Sequence, residues 1–263
     1  MTLADRSAVR EARRVVVKVG SSSISGANAG AIAPLVDALA TAHARGVEIV
    51  LVSSGAIATG MPFLRLSSRP TDLATQQAAA AVGQNLLVHR YQQSLDRFEI
   101  VAGQVLLTAG DLENPTHRSN AQRAMERLLG LRILPIVNEN DTVATHEIRF
   151  GDNDRLAALV SVLIRADALV LLSDVDAIYT RPPGEPGAER IAEVYDESDL
   201  AGVTFGESTS GVGTGGASTK VSAARLAATA GTGVLVTSTA RVAEALGGAD
   251  IGTWFRPTVA DAR

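Results

Sequence analysis

The sequence predicts an α/β protein built on an open, mostly parallel sheet sandwiched by helices. Two observations carry that reading. Short runs of Val, Ile and Leu alternate with longer Ala-rich segments of helical period, and the apolar runs are continuous, as in strands covered on both faces. With 263 residues, 46% of them apolar, the chain has enough material for one large core, and residues 1–263 are expected to form a single domain.

In chain order, strands are expected at 15–19, 48–52, 101–107, 133–137, 168–172 and 233–237. Pro135 counts against the fourth, because it removes one ladder donor, but the apolar run around it keeps the assignment. Helices are expected at 29–45, 71–97, 119–129, 154–165 and 218–230. The stretch 181–216 gathers Pro, Gly, Ser and acidic residues; it reads as a linker or a functional lid, with 190–194 a weak strand in a hairpin. The apolar stretch 156–172 is interrupted by Arg165 and Asp167 before it is long enough to span a bilayer, so it reads as a buried helix followed by a buried strand.

Composition narrows the function classes. The net charge is −4, aromatic residues make up 3% of the chain, and no basic cluster interleaves with them, which argues against a nucleic-acid surface. The absence of cysteine excludes disulfides, thiolate catalysis and thiolate zinc sites, and suits a reducing cytoplasm. His43, His89, His117 and His146 lack metal-ligand spacing. The N-terminus, MTLADRSAVREARR, is too charged for a signal peptide.

Four expected strands end in small or polar groups: VVVKVGSSS, IVLVSSGA, ILPIVNEND and LVLLSDVD. In an open parallel sheet, ligands bind where the carboxyl ends of strands meet. One edge would therefore collect Lys18, Gly20 and Ser21; Ser53, Ser54 and Gly55; Asn138 and Asp141; and Ser173 and Asp174. Lys18, inside an apolar run, must either reach water or meet an anion, and the Gly-Ser-Ser-Ser that follows favours the anion. The segment GDND at 151–154 opens a helix with three capping residues where one would serve, so two have another task. GVGTGG at 211–216 matches G-x-G-x-x-G, but no strand precedes it and no acidic residue follows at ribose-binding distance. This argues against a nicotinamide-dependent dehydrogenase, and the Lys220 context is not a Walker A loop. What remains is a glycine-rich loop leading to Lys220 in the first turn of a helix, suited to phosphate oxygens.

VVVKVGSSS, VSSGAIATG, QQAAAAVGQ, QVLLT, VNENDTVATHEIRFGDND, LLSDVDAIY and GVGTGGASTK, in this order and spacing, resemble the glutamate 5-kinases of proline biosynthesis, within the amino acid kinase superfamily. The resemblance implies the amino acid kinase fold and transfer of the ATP γ-phosphoryl, with Mg2+, to the side-chain carboxylate of L-glutamate. By the matching motifs, Lys18 and Lys220 would contact the phosphoryl group, and Asp154 would orient them. Ser54, Gly55, Ala56, Asn138, Asp141, Asp152 and Asn153 would hold glutamate. Lys18, Gly20, Ser173, Asp174 and the loop Thr214, Gly215, Gly216, Ala217, Ser218, Thr219 and Lys220 would bind the nucleotide, which carries the metal itself. Residues to about 150 would mainly serve glutamate and the remainder ATP. The resemblance further implies a homo-oligomer, feedback inhibition by proline, and passage of the product to glutamyl phosphate reductase.

Ser21 and Ala217 stand where many relatives have Thr and Met, both mild departures. A larger one is that many bacterial members carry a C-terminal PUA domain, whereas this sequence of 263 residues stops just after the kinase region, either because the enzyme lacks that domain or because the sequence is part of a longer one. The rival readings are a kinase of N-acetylglutamate or carbamate, and a silent ligand-binding regulator on the same fold; the joint presence of Lys18, Asp154 and Lys220 argues against the silent one.

Overall fold

Continuous apolar runs become the inner strands of one sheet. In the computed structural model, which describes residues 3–144, 153–204 and 216–258, the strands are β1 (Arg14–Val19), β2 (Glu48–Ser53), β3 (Ala102–Leu107), β4 (Leu134–Glu139), β5 (Ala168–Ser173), β6 (Glu193–Val194), β7 (Gly233–Ser238) and β8 (Thr253–Phe255). They lie in the order β3-β4-β2-β1-β5-β7-β8-β6. Every pairing is parallel except β7 with β8. Each residue of β1, β4 and β5 is buried, as strands covered on both faces require. The helices are α1 (Ile32–Ala44), α2 (Ala56–Gly60), α3 (Leu73–Leu95), α4 (Ala109–Glu113), α5 (Pro115–Gly130), α6 (Asn153–Leu163), α7 (Ala217–Thr229) and α8 (Val242–Leu246).

Side chains alternate across the sheet and feed two cores. Val15, Val17 and Val19 of β1 join Leu35 and Leu39 of α1, Leu87 and Tyr91 of α3 and Leu246 of α8 on one face. Val16 joins Met125 of α5, Leu156 and Val160 of α6 and Ala224 of α7 on the other.

All six expected strands and all five expected helices are present, with three kinds of adjustment. Before α1, residues 26–31 form a tighter 3-10 turn rather than α-helix, entered through Gly26 at φ 59°. The helix expected from 119 starts four residues earlier, because Asn114 caps the amides of Thr116 and His117 and Pro115 follows at the first helical position. The weak strand at 190–194 reduces to β6, with Arg190 bridged antiparallel to Tyr179. Pro135 is accommodated because β4 pairs with β2 only from Ile136 onward, so its missing N–H falls before that ladder begins.

Three short helices and one strand were not expected: α2, α4, α8 and β8. β8 is a three-residue segment whose Trp254 lies fully buried against Gly233, where a Cβ would overlap the indole ring.

Candidate active site

β1 has β2 on one side and β5 on the other, so the winding of the chain reverses at this strand, and the carboxyl ends of the three strands border one crevice. Lys18 lies two residues beyond Val16 and shares its face, toward α6 and α7. Both helices begin at this edge, with Asp154 in the first turn of α6 and Lys220 in that of α7.

These three residues converge. Asp154 is fully buried; one carboxylate oxygen lies 2.5 Å from Lys18 Nζ and the other 3.1 Å from Lys220 Nζ. Thr219 Oγ1 lies 3.4 Å from the second oxygen and donates its one hydrogen to the Gly216 carbonyl at 2.9 Å. Burial pushes the Asp154 carboxyl up, but the charges and hydrogen bonds of Lys18 and Lys220 outweigh it and hold the group below the ordinary value of 3.8. Two ammonium groups around one carboxylate leave a net positive charge at a strand end flanked by helix N-termini, which is an environment for an anion.

A second cluster of amides sits beside the first. Asn153 Nδ2 lies 2.8 Å from each of three acceptors that share its two hydrogens, the Ser53 carbonyl, Ser54 Oγ and Asn138 Oδ1. The Glu139 amide also donates to Asn138 Oδ1, at 2.9 Å, and Asn138 Nδ2 donates to Gln84 Oε1 at 2.7 Å. Below it, the buried Tyr91 hydroxyl pairs with Ser53 Oγ at 2.9 Å; burial raises the Tyr91 phenol above its usual range and the Ser53 bond opposes that only in part. Gly55 turns the chain at φ 99°, a left-handed conformation that favours glycine, and brings the β2 turn against Ser21 after β1. It leads directly into Ala56 and α2.

The structure thus joins Lys18, Asp154 and Lys220, and separately Ser54, Asn138 and Asn153. The two groups meet through consecutive residues of α6. Of the surplus polar residues in GDND, Asn153 and Asp154 turn inward to the amide cluster and the lysines. Asp141 lies in the turn that follows β4. At the end of β5, Ser173 Oγ donates to Asp174 Oδ1 at 3.0 Å, with Ser173 buried and Asp174 exposed. A Cβ on Gly20 would lie 3.9 Å from Lys18 Nζ, so the glycine leaves that flank of the ammonium open. Asp152, Thr214 and Gly215 lie outside the described residues.

Gln84 and Tyr91 were missed by the sequence reading. Their signal is present in α3, where Gln76, Gln84 and Tyr91 interrupt an otherwise apolar buried stripe with Ala80, Leu87 and Leu95.

Residues 13–238 match the profile of the amino acid kinase family. The chain is 75% identical to the glutamate 5-kinase of Clavibacter sepedonicus over 98% of this chain and 99% of that one. It is 73% identical to that of Leifsonia xyli subsp. xyli, over 98% and 96% respectively. The chain belongs to the amino acid kinase family, among the glutamate 5-kinases. The glutamate 5-kinase of Streptomyces coelicolor is 57% identical, with 96% of this amino acid kinase aligned to 69% of the longer relative. Among solved structures, the carbamate kinase from Giardia lamblia bound to AMP-PNP superposes with a TM-score of 0.69 at 15% identity, over 95% of this chain and all of that one, a likeness of fold. No helix among the described residues is long and apolar enough to cross a membrane.

Proposed function

We infer that this amino acid kinase transfers the γ-phosphoryl group of ATP to the side-chain carboxylate of L-glutamate, giving L-glutamyl 5-phosphate as the first step of proline biosynthesis. The observation that carries the reading is the buried Lys18–Asp154–Lys220 arrangement at the switch point of the sheet, beside the amides of Asn138 and Asn153. A glutamate carboxylate oxygen attacks the γ-phosphorus, the bond to the β-phosphate bridging oxygen breaks, and ADP leaves with that electron pair. The nucleophile is already ionised, so no strong base is needed. The task is to hold two anions in line and offset their repulsion.

Lys18 and Lys220, from opposite ends of the chain, do this, and Asp154 fixes both ammonium groups. Ser54, Gly55, Ala56, Asn138, Asp141, Asp152 and Asn153 form the glutamate side. Ser173, Asp174 and residues 214–220 form the nucleotide side, so the first part of the single domain serves the acceptor and the second the donor. Mg2+ bound to the phosphates supplies further neutralisation of charge. Both Asp154 oxygens face lysines.

The same reading places the enzyme in the cytoplasm as a homo-oligomer that is inhibited by proline and passes its unstable product to a reductase. ADP release from MgATP across a panel of glutamate, N-acetylglutamate, aspartate and carbamate tests it. Turnover on glutamate alone is expected; turnover on none would make the chain a silent regulator, and preference for another acid would reassign the substrate.

A further inference from the structure

The amide cluster has a direction, and it leaves one donor over. Two of its contacts are to backbone groups, whose polarity cannot be exchanged: the Glu139 N–H donates to Asn138 Oδ1, and the Ser53 carbonyl accepts from Asn153 Nδ2. Asn138 must therefore present Nδ2 to Gln84, and Gln84 must answer with Oε1. That assigns Gln84 Nε2, which is buried and has no hydrogen-bond partner among the described residues. An amide N–H held out of water without an acceptor costs about 1 to 3 kcal/mol, a cost a protein tolerates where a ligand supplies the acceptor. The other polar groups tied to this relay, Ser54 Oγ and the Asn153 amide, belong to the residue that follows β2 and to the residue before Asp154, the carboxylate that meets both lysines.

We propose that Gln84 is an acceptor-binding residue, its Nε2–H donating to a carboxylate oxygen of the bound amino acid while Oε1 keeps Asn138 in register. The proposal rests on the phosphoryl-transfer reading given above. Gln84→Glu is the discriminating variant, because the isosteric carboxylate still accepts from Asn138 but no longer donates to the ligand. At pH 8, KM for glutamate should rise about tenfold or more, as expected for loss of a hydrogen bond to a charged group, with KM for ATP and Tm close to wild type. A KM for glutamate within about twofold of wild type would overturn the proposal and leave Gln84 as an anchor for Asn138 alone.

Should Gln84→Glu fail to fold, the wild-type protein labelled with 15N in the side chains of its seven glutamines decides the matter. One amide pair should shift on adding glutamate, and no shift in any pair would overturn the proposal. The wild-type control separates the two readings. If it fails on glutamate but turns over another acid of the panel, the substrate assignment falls, and the Gln84→Glu comparison is made with that acid.

Discussion

Asp154 answers to two cations at once, and the two lysines fail differently from the carboxylate between them. In the proposed reaction, Lys18→Ala and Lys220→Ala each remove a donor aimed at charge that develops during transfer. Each should lower kcat about 10²- to 10³-fold with little change in KM for glutamate, as read by steady-state kinetics. Asp154→Asn should cost a comparable factor through misplaced ammonium groups, and it also leaves two buried lysines without a counter-charge, a loss of about 3 to 5 kcal/mol in general. Its pH signature follows from the depressed carboxyl. The Asp154 contribution is present above the unfolded value of 3.8 and is lost as pH falls through the lower folded value. The stability gap between wild type and Asp154→Asn in urea titrations should therefore be widest near neutrality and narrow below pH 3.8. Asp141→Ala should raise KM for glutamate steeply while leaving that for ATP nearly unchanged, if this carboxylate receives the α-ammonium; the reverse pattern would assign it to the nucleotide.

At the scale of elements, the proposed glutamate side depends on how closely α2 can approach α3. Gly60 and Gly83 face each other across that crossing: a Cβ on Gly83 would overlap the Ala56 carbonyl oxygen, and one on Gly60 the Ala79 carbonyl. Gly83→Ala should therefore push α2 outward, destabilise the protein by about 1 to 3 kcal/mol in thermal unfolding, and raise KM for glutamate far more than KM for ATP, since α2 leads out of Ser54–Gly55. This contact also marks where sequence reading stops. β1, β2, β4, β5 and β7 were legible because continuous apolar runs have few other destinations, and Lys18 was legible because a cation inside such a run needs a reason. α2 was not, since its five residues, AIATG, are shorter than two helical turns and are held by packing. Gln84 and Tyr91 were hidden for a related reason. A polar residue on a helix stripe shows its partner only once β4 and β2 are in place beneath it.

Across the whole molecule, charged pairs tie distant segments to the sheet. Arg14, buried at the start of β1, donates to Glu48 at 2.8 Å, to Glu126 at 2.8 and 3.0 Å, and to the Ile164 carbonyl, linking β2, α5 and α6 at the edge away from the site. The Arg14 hydrogen bond holds the Glu126 carboxyl below its ordinary value of 4.5. That contribution too exists above pH 4.5 and disappears under acid, so Glu126→Gln should flatten the acid limb of a stability profile. At the other margin, Arg6 reaches the carbonyls of Ala192, Ile251 and Gly252 at 2.7, 3.1 and 3.3 Å, joining the first turn of the chain to the strands assembled last.

The position of β8 has a consequence in time. β6 pairs with β8, Glu193 against Trp254, and β8 in turn fills the place beside β7. During synthesis β6 emerges long before its neighbour exists, and the rim of the sheet must wait as an unpaired edge until Trp254 arrives. Lys18 likewise waits for Asp154, and Asp154 for Lys220. Contacts so far apart in sequence delay the rewarding steps of folding behind the loop closures that precede them. Refolding from denaturant is therefore expected to proceed on the scale of milliseconds to seconds or slower. Pulsed hydrogen exchange should protect β1 and β2 before β6; simultaneous protection of all three would show that the rim is not the last part to close.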